Sequence, residues 1–128
     1  DPTQADAAKA VIKAAGGNVA GALDFVGSES SVALSTGVVR RGGQVVIVGL
    51  FGGELRMPLP MFPLRGLQII GSYVAGLNEL RELMALAQRI ELPQIPLTLR
   101  PLKDVNQALD DLAKGRVVGR VVLQPDAA

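Results

Sequence analysis

The sequence predicts an α/β fold built on a parallel sheet, and three observations predict it. Two apolar runs, residues 19–27 and 44–50, each reach a glycine, at Gly27 and Gly49. A helix-length segment separates them, which makes a β–α–β unit. A third apolar run, residues 67–74 around Gly71, is followed by an amphipathic segment, so strand and helix keep alternating. In open α/β sheets ligands sit at the carboxyl ends of the strands, so the residues around Gly27, Gly49 and Gly71 are where a site is expected.

Each element follows from its own residues. Residues 5–15 are rich in Ala and Lys, strong helix formers, and Gly16-Gly17 stops the helix. Residues 19–27 read as a buried strand reaching a tight turn. Ser28 can cap the next helix, and Glu29 suits its positive end. That helix is predicted to run to about Arg41, with Val32, Leu34, Val38 and Val39 apolar, until Gly42-Gly43 ends it. Residues 44–50 do not alternate, so they read as a strand covered on both faces. Residues 52–66 carry Pro58, Pro60 and Pro63 and predict a long connection with at most a short helical turn. The strand at 67–74 follows. Residues 77–90 form the clearest helix, capped by Asn78, with Leu80, Leu83, Met84, Leu86, Ala87 and Ile90 on its apolar stripe. Residues 95–102 are extended and proline-marked, an edge strand or crossing segment. A helix over 103–114 turns Val105, Ala108, Leu109 and Leu112 inward and stops at Gly115; residues 117–123 make a last strand. The first strands lack a preceding glycine-rich phosphate turn, so the chain reads as the second half of a nucleotide-binding domain.

Composition narrows the chemistry. The 128 residues fit one domain, and 48% hydrophobic content is enough for a core. A net charge of +1, with Arg40-Arg41 the one adjacent basic pair, argues against nucleic acid or an anionic membrane as partner. There is no Cys and no His, which removes thiolate and imidazole chemistry and makes a zinc site within this chain unexpected. No signal pattern or bilayer-length apolar run is visible, so a cytoplasmic protein is the expectation.

Five stretches carry a resemblance: Asp24-Phe-Val-Gly-Ser28, Arg40-Arg-Gly-Gly43, Val46-Ile-Val-Gly-Leu-Phe-Gly-Gly53, Gly71-Ser-Tyr-Val74 and Gly115-Arg-Val-Val-Gly-Arg-Val-Val-Leu123. In order and spacing they resemble the medium-chain dehydrogenase family, the zinc-type alcohol dehydrogenases and their zinc-free quinone-reductase relatives. The resemblance implies a partial Rossmann-type doubly wound parallel sheet, the second mononucleotide half, over residues 1–92, with a C-terminal strand–helix–strand over 93–128 packing toward a catalytic domain. It implies NAD or NADP as cofactor of the parent protein, NAD favoured, and zinc in the parent only. The implied partners are an N-terminal catalytic domain and a first Rossmann half, both expected upstream of Asp1, and a second copy of the chain through the 67–74 edge. A fragment of an NAD(P)-dependent alcohol dehydrogenase, inactive alone, is therefore the leading reading. A zinc-free quinone or enoyl reductase fragment and a stand-alone interaction module are the alternatives.

Read without the family, Phe25, Val26 and Val48 are core residues, and the glycines permit tight turns or close packing. The resemblance adds a second role. Backbone groups of Val48, Ser72 and Val74 are implied to hold the nicotinamide carboxamide, with Phe25 and Val26 near a ribose and Gly49, Leu50 and Tyr73 alongside. Arg120 is implied to reach the pyrophosphate, which suits a permanently charged fork, and it also reads as a solvated strand residue. Asp24 has no His, Lys or Cys partner at a recognisable spacing, so a hydrogen bond to a nearby amide is expected of it rather than base catalysis. Tyr73, the single Tyr, reads as a strand residue or a proton donor. No catalytic residue is assigned.

Overall fold

The computed structural model describes residues 4–125. The chain forms two compact units that divide between Gly76 and Leu77. In the first unit, α1 (Ala7–Ala14) ends where Gly16 takes φ +72°, and the Gly17 N–H reaches back to the Ile12 carbonyl at 2.9 Å. Strand β1 (Val19–Asp24) follows, and Ser28 caps α2 (Glu29–Val38) as expected. Ser28 Oγ accepts from the Ser31 N–H, and the Ser31 side chain accepts from the Ser28 N–H in return.

Helix α2 stops at Val38, earlier than the predicted Arg41, and β2 (Val39–Ile47) starts at once. The reason lies in packing. Val39 is fully buried, pairs with Val19 and adopts extended backbone. Three side-chain donors take the carbonyls at the helix end: Arg65 bonds Thr36 O at 2.9 Å and Val39 O at 2.7 Å, and Asn18 bonds Val38 O at 3.0 Å. Gly42, at φ +70°, is therefore not a helix stop. It sits within β2 where the register with β1 slips, from Val19↔Val39 to Gly21↔Gln44.

The connection after β2 contains the short α3 (Met61–Arg65), as the prolines predict, and leads to β3 (Gln68–Gly71). Strands β1, β2 and β3 pair in parallel in that order. The predicted side-by-side placement of the three glycine-terminated runs is thus observed. Both outer runs are shorter than predicted: β1 ends at Asp24 and β3 at Gly71, because the chain turns toward the loops there. The core centres on Val39, Val45 and Leu67, with Val19, Ala22, Ile47, Met57, Phe62 and Ile69 packed around them. Burying a side chain of this size contributes about 2 kcal/mol.

The second unit begins with α4 (Leu77–Ala87). The helix starts at Leu77, so Asn78 lies inside its first turn and does not cap it; the Asn78 Oδ1 accepts from Arg81 instead. No residue of α4 is buried, and the predicted apolar stripe is open: Leu80, Leu83 and Met84 are half exposed. Strands β4 (Leu97–Pro101) and β5 (Arg120–Gln124) pair in parallel, joined through a 3₁₀ turn (Leu102–Asp104) and α5 (Val105–Ala113). Ala108 is buried; Leu109 and Leu112 turn to the β5 side as predicted, where they line a groove with Val121 and Leu123, but they stay mostly exposed in it. A two-stranded sheet is too narrow to cover both rows of the helix. The unit is pinned by Asp111, whose carboxylate accepts from Arg100 at 2.7 Å, from Gln107 at 2.9 Å and from Arg116.

Candidate functional site

The site is the row of carboxyl ends in the three-stranded sheet. There β1 and β2 stay joined past the end of regular pairing. The Asp24 carbonyl accepts from the N–H of Val48 at 2.8 Å and of Gly49 at 3.0 Å. Next, the Val26 carbonyl accepts from Phe51 at 3.0 Å and the Gly27 carbonyl from Gly52 at 3.1 Å. Such close approach requires glycine. A Cβ on Gly49 would overlap the backbone of Phe25 and Val26, and a Cβ on Gly27 would overlap the Gly49 carbonyl. On the other side, the Ser72 N–H donates to the Ile47 carbonyl at 2.9 Å and brings β3's end alongside.

Asp24 is buried at 4% exposure, and its carboxylate is fully engaged. Oδ1 accepts from the N–H of Val26 and of Gly27, both at 2.9 Å, and Oδ2 accepts from Ser31 Oγ at 2.8 Å. The amide bonds are those the sequence led us to expect. Burial pushes the carboxyl pKa up; the hydrogen bonds from Gly27, Ser31 and Val26 outweigh it and leave the pKa below the ordinary value. Ser31 escaped the sequence reading. Its signal was the Ser-x-x-Ser spacing at 28 and 31, a capping box with Ser at the third position.

The structure brings Phe25, Val26, Val48, Gly49, Leu50 and Ser72 to one end of one sheet, with Tyr73 and Val74 directly following. Phe25, Leu50, Tyr73 and Val74 are 70%, 77%, 72% and 76% exposed, so the rim is apolar and uncovered and these are not core residues. Phe51, at 82% exposure, joins them and was not singled out from sequence. Val74 holds φ +46°, a strained conformation for a β-branched residue, costing about 1–3 kcal/mol. Beside the rim a cavity of about 330 Å³ opens at the N-terminus of α2, lined by Gly27, Ser28, Val32, Ile47, Gly49 and Leu55. Arg120 belongs to the second unit, where it begins β5 exposed to solvent, its N–H donating to the Pro96 carbonyl at 2.8 Å.

The backbone groups suit a carboxamide. With the Val48 and Ser72 N–H groups used in the sheet, no backbone hydrogen bond among the described residues uses the carbonyls of Val48 and Ser72 or the N–H of Val74. That is two acceptors and one donor on adjacent strand ends, the complement of an amide's NH₂ and C=O. For zinc the residues do not fit: the chain has no Cys or His, and among the described residues no group of three or more Asp or Glu could hold a metal ion. No helix among the described residues is long and apolar enough to cross a membrane.

Comparison with known proteins agrees with this geometry. The chain is 34% identical over 104 residues to an NAD-dependent alcohol dehydrogenase of Sulfurisphaera tokodaii, covering 80% of this chain and 30% of that protein. It is 33% identical over 126 residues to an alcohol dehydrogenase of Geobacillus stearothermophilus, covering 98% of this chain and 37% of that one. The crystal structure of the alcohol dehydrogenase from the archaeon Aeropyrum pernix superposes with a TM-score of 0.79 at 36% identity, covering 94% of this chain and 35% of that one. The chain thus spans about a third of the length of the relatives it matches. The family model for zinc-binding dehydrogenases matches residues 1–89. That match takes in all three strands of the parallel sheet and both glycines that let their ends close up, and on it this chain belongs to the zinc-binding dehydrogenase family.

Proposed function

We propose that this chain supplies the nicotinamide side of the cofactor site in an NAD(P)-dependent alcohol dehydrogenase and is inactive alone. The observation that carries this reading is that the carbonyls of Val48 and Ser72 and the N–H of Val74, at the ends of β2 and β3, take part in no backbone hydrogen bond among the described residues. They are to accept from the carboxamide NH₂ and donate to its oxygen, which fixes the ring's face. Phe25, Val26, Gly49, Leu50 and Tyr73 are to line the ring and ribose, where their exposed apolar surface excludes water. Arg120 is to bind the pyrophosphate. The bound cofactor supplies the hydride acceptor; this chain contributes binding and orientation.

NAD is favoured over NADP because the Sulfurisphaera relative is named as NAD-dependent. The parent's zinc ligands, first Rossmann half and catalytic domain are assigned to sequence outside these residues, and residues 93–128 to the face toward that domain. A cytoplasmic location and a homo-oligomer paired through the free edge of β3 complete the reading. A chimera tests it: the first two-thirds of the Geobacillus enzyme joined to this chain in place of the matching third. The expected result is NADH binding and NAD-dependent alcohol oxidation. A folded chimera that binds no NADH would overturn the proposal.

A further inference from the structure

We infer that Asp24 is a positioning residue: its carboxylate sets the spacing between the two segments, Phe25–Ser28 and Val48–Gly52, that form the strand-end rim. The inference rests on the cofactor reading for the importance of that rim, and on hydrogen-bond geometry for the mechanism.

The bonds form a relay. Oδ1 holds the Val26 and Gly27 amides and so bends the chain just after β1. The carbonyls of those two residues then accept from Phe51 and Gly52 on the neighbouring segment. Oδ2 holds Ser31 Oγ, and Ser31 Oγ accepts from the Ser28 N–H, which ties the bend to the first turn of α2. One buried side chain therefore dictates where the N–H groups of Phe51 and Gly52, in the loop after β2, must lie. The rim has no slack to absorb an error, because Gly49 has no room for even a Cβ against Val26.

A role in proton transfer is a poor fit. Both carboxylate oxygens are spent on fixed donors, and the residue is 4% exposed. Positioning requires the acceptor geometry, not the charge. Asparagine keeps Oδ1 for the two amides. Its Nδ2 can donate to Ser31 Oγ, whose proton turns to the Ser28 carbonyl, already 3.1 Å away. Alanine keeps nothing.

The test is amide hydrogen exchange on the full chain as wild type, Asp24→Asn, Asp24→Ala and Ser31→Ala. Asp24→Ala is expected to speed exchange at Phe51 and Gly52, whose amides bond the Val26 and Gly27 carbonyls and not the Asp24 carboxylate, by about tenfold or more. Amides in α1 and α5 are expected to stay unchanged, and Asp24→Asn to remain within about threefold of wild type. Ser31→Ala, which removes a single bond to the carboxylate, is expected to fall between and serves if Asp24→Ala does not fold. Unchanged Phe51 and Gly52 in Asp24→Ala, or in Ser31→Ala where Asp24→Ala does not fold, would overturn the inference. So would an Asn variant as damaged as the Ala variant, or acceleration spread evenly over the whole chain. None of these readouts involves NAD, so a failure here leaves the cofactor reading standing, and the chimera tests that reading separately.

Discussion

Gly27 and Gly49 meet backbone to backbone where β1 and β2 end, and neither position can accommodate a side chain. At Gly27 the φ of +69° adds a conformational penalty to the overlap. Gly49→Ala and Gly27→Ala are each expected to cost about 3 kcal/mol, read as a fall in thermal midpoint, with Gly27→Ala the worse. Gly71 is the control. A Cβ there meets nothing within 4 Å, so Gly71→Ala is expected to stay within about 0.5 kcal/mol of wild type.

Arg65 gives a second prediction. Its guanidinium donates to Thr36 O and Val39 O, carbonyls that the end of α2 leaves without intrahelical partners. Arg65→Ala is expected to cost about 2–3 kcal/mol, because two charge-assisted bonds to carbonyls of the buried Thr36 and Val39 are lost. Lysine cannot make both bonds in one fork, so Arg65→Lys should recover less than half of the loss. Equilibrium denaturant unfolding measures both.

The contrast between these two sites shows what the sequence could convey. The runs ending at Gly27, Gly49 and Gly71 were legible because apolar runs punctuated by glycine have a local signature, and their parallel order follows from the alternation with helices. The Ser28 cap and the amide bonds of Asp24 were legible for the same reason: donor and acceptor lie within three residues. Arg65 acts across 26 and 29 residues, and nothing in its neighbourhood points to Val39 or Thr36. That long-range capture is also why α2 stops at Val38 rather than at the glycine pair. Leu109 and Leu112 have correct helical spacing, but spacing does not reveal how much surface is present to cover them.

Acid should unfold the chain through two carboxylates. Asp111 has its pKa driven far down, first by the hydrogen bond from Arg116, then by those from Arg100 and Gln107. Asp24 is also lowered, its hydrogen bonds outweighing burial. A carboxyl with a depressed folded-state pKa stabilises the fold above its unfolded value, near pH 4, and this contribution fades as pH falls toward the folded value. Stability is therefore expected to be flat near neutrality and to decline below about pH 4. Asp111→Asn should lower the thermal midpoint at pH 7 and flatten the acid limb. A variant with an unchanged acid limb would mean that Asp111 does not govern it.

Affinity for the cofactor is expected to be weak in the isolated chain. The strand ends offer two carbonyls and one N–H for a carboxamide, while the resemblance leaves the glycine-rich phosphate turn outside these residues. Isothermal titration with NAD and with NADP is expected to give heats too small to fit. A micromolar dissociation constant for this chain alone would contradict the proposed division of labour.

Among the described residues no further strand pairs with the outer sides of β1 and β3, and both strands carry exposed apolar side chains: Leu23 is 65% exposed and Ile70 42%. Unpaired N–H and C=O groups flanked by such side chains are templates for another strand. Self-association in light scattering is the expected behaviour, rising with concentration. A charge on the pairing edge should suppress it, because a lysine on each copy would face its twin across the new ladder. Ile70→Lys is expected to return the chain to a monomer, in keeping with a homo-oligomer built through β3. Should Leu23→Lys do so and Ile70→Lys not, the contact runs through β1, the edge that the first Rossmann half is proposed to cover. A wild-type chain that stays monomeric at high concentration would remove edge pairing from the account.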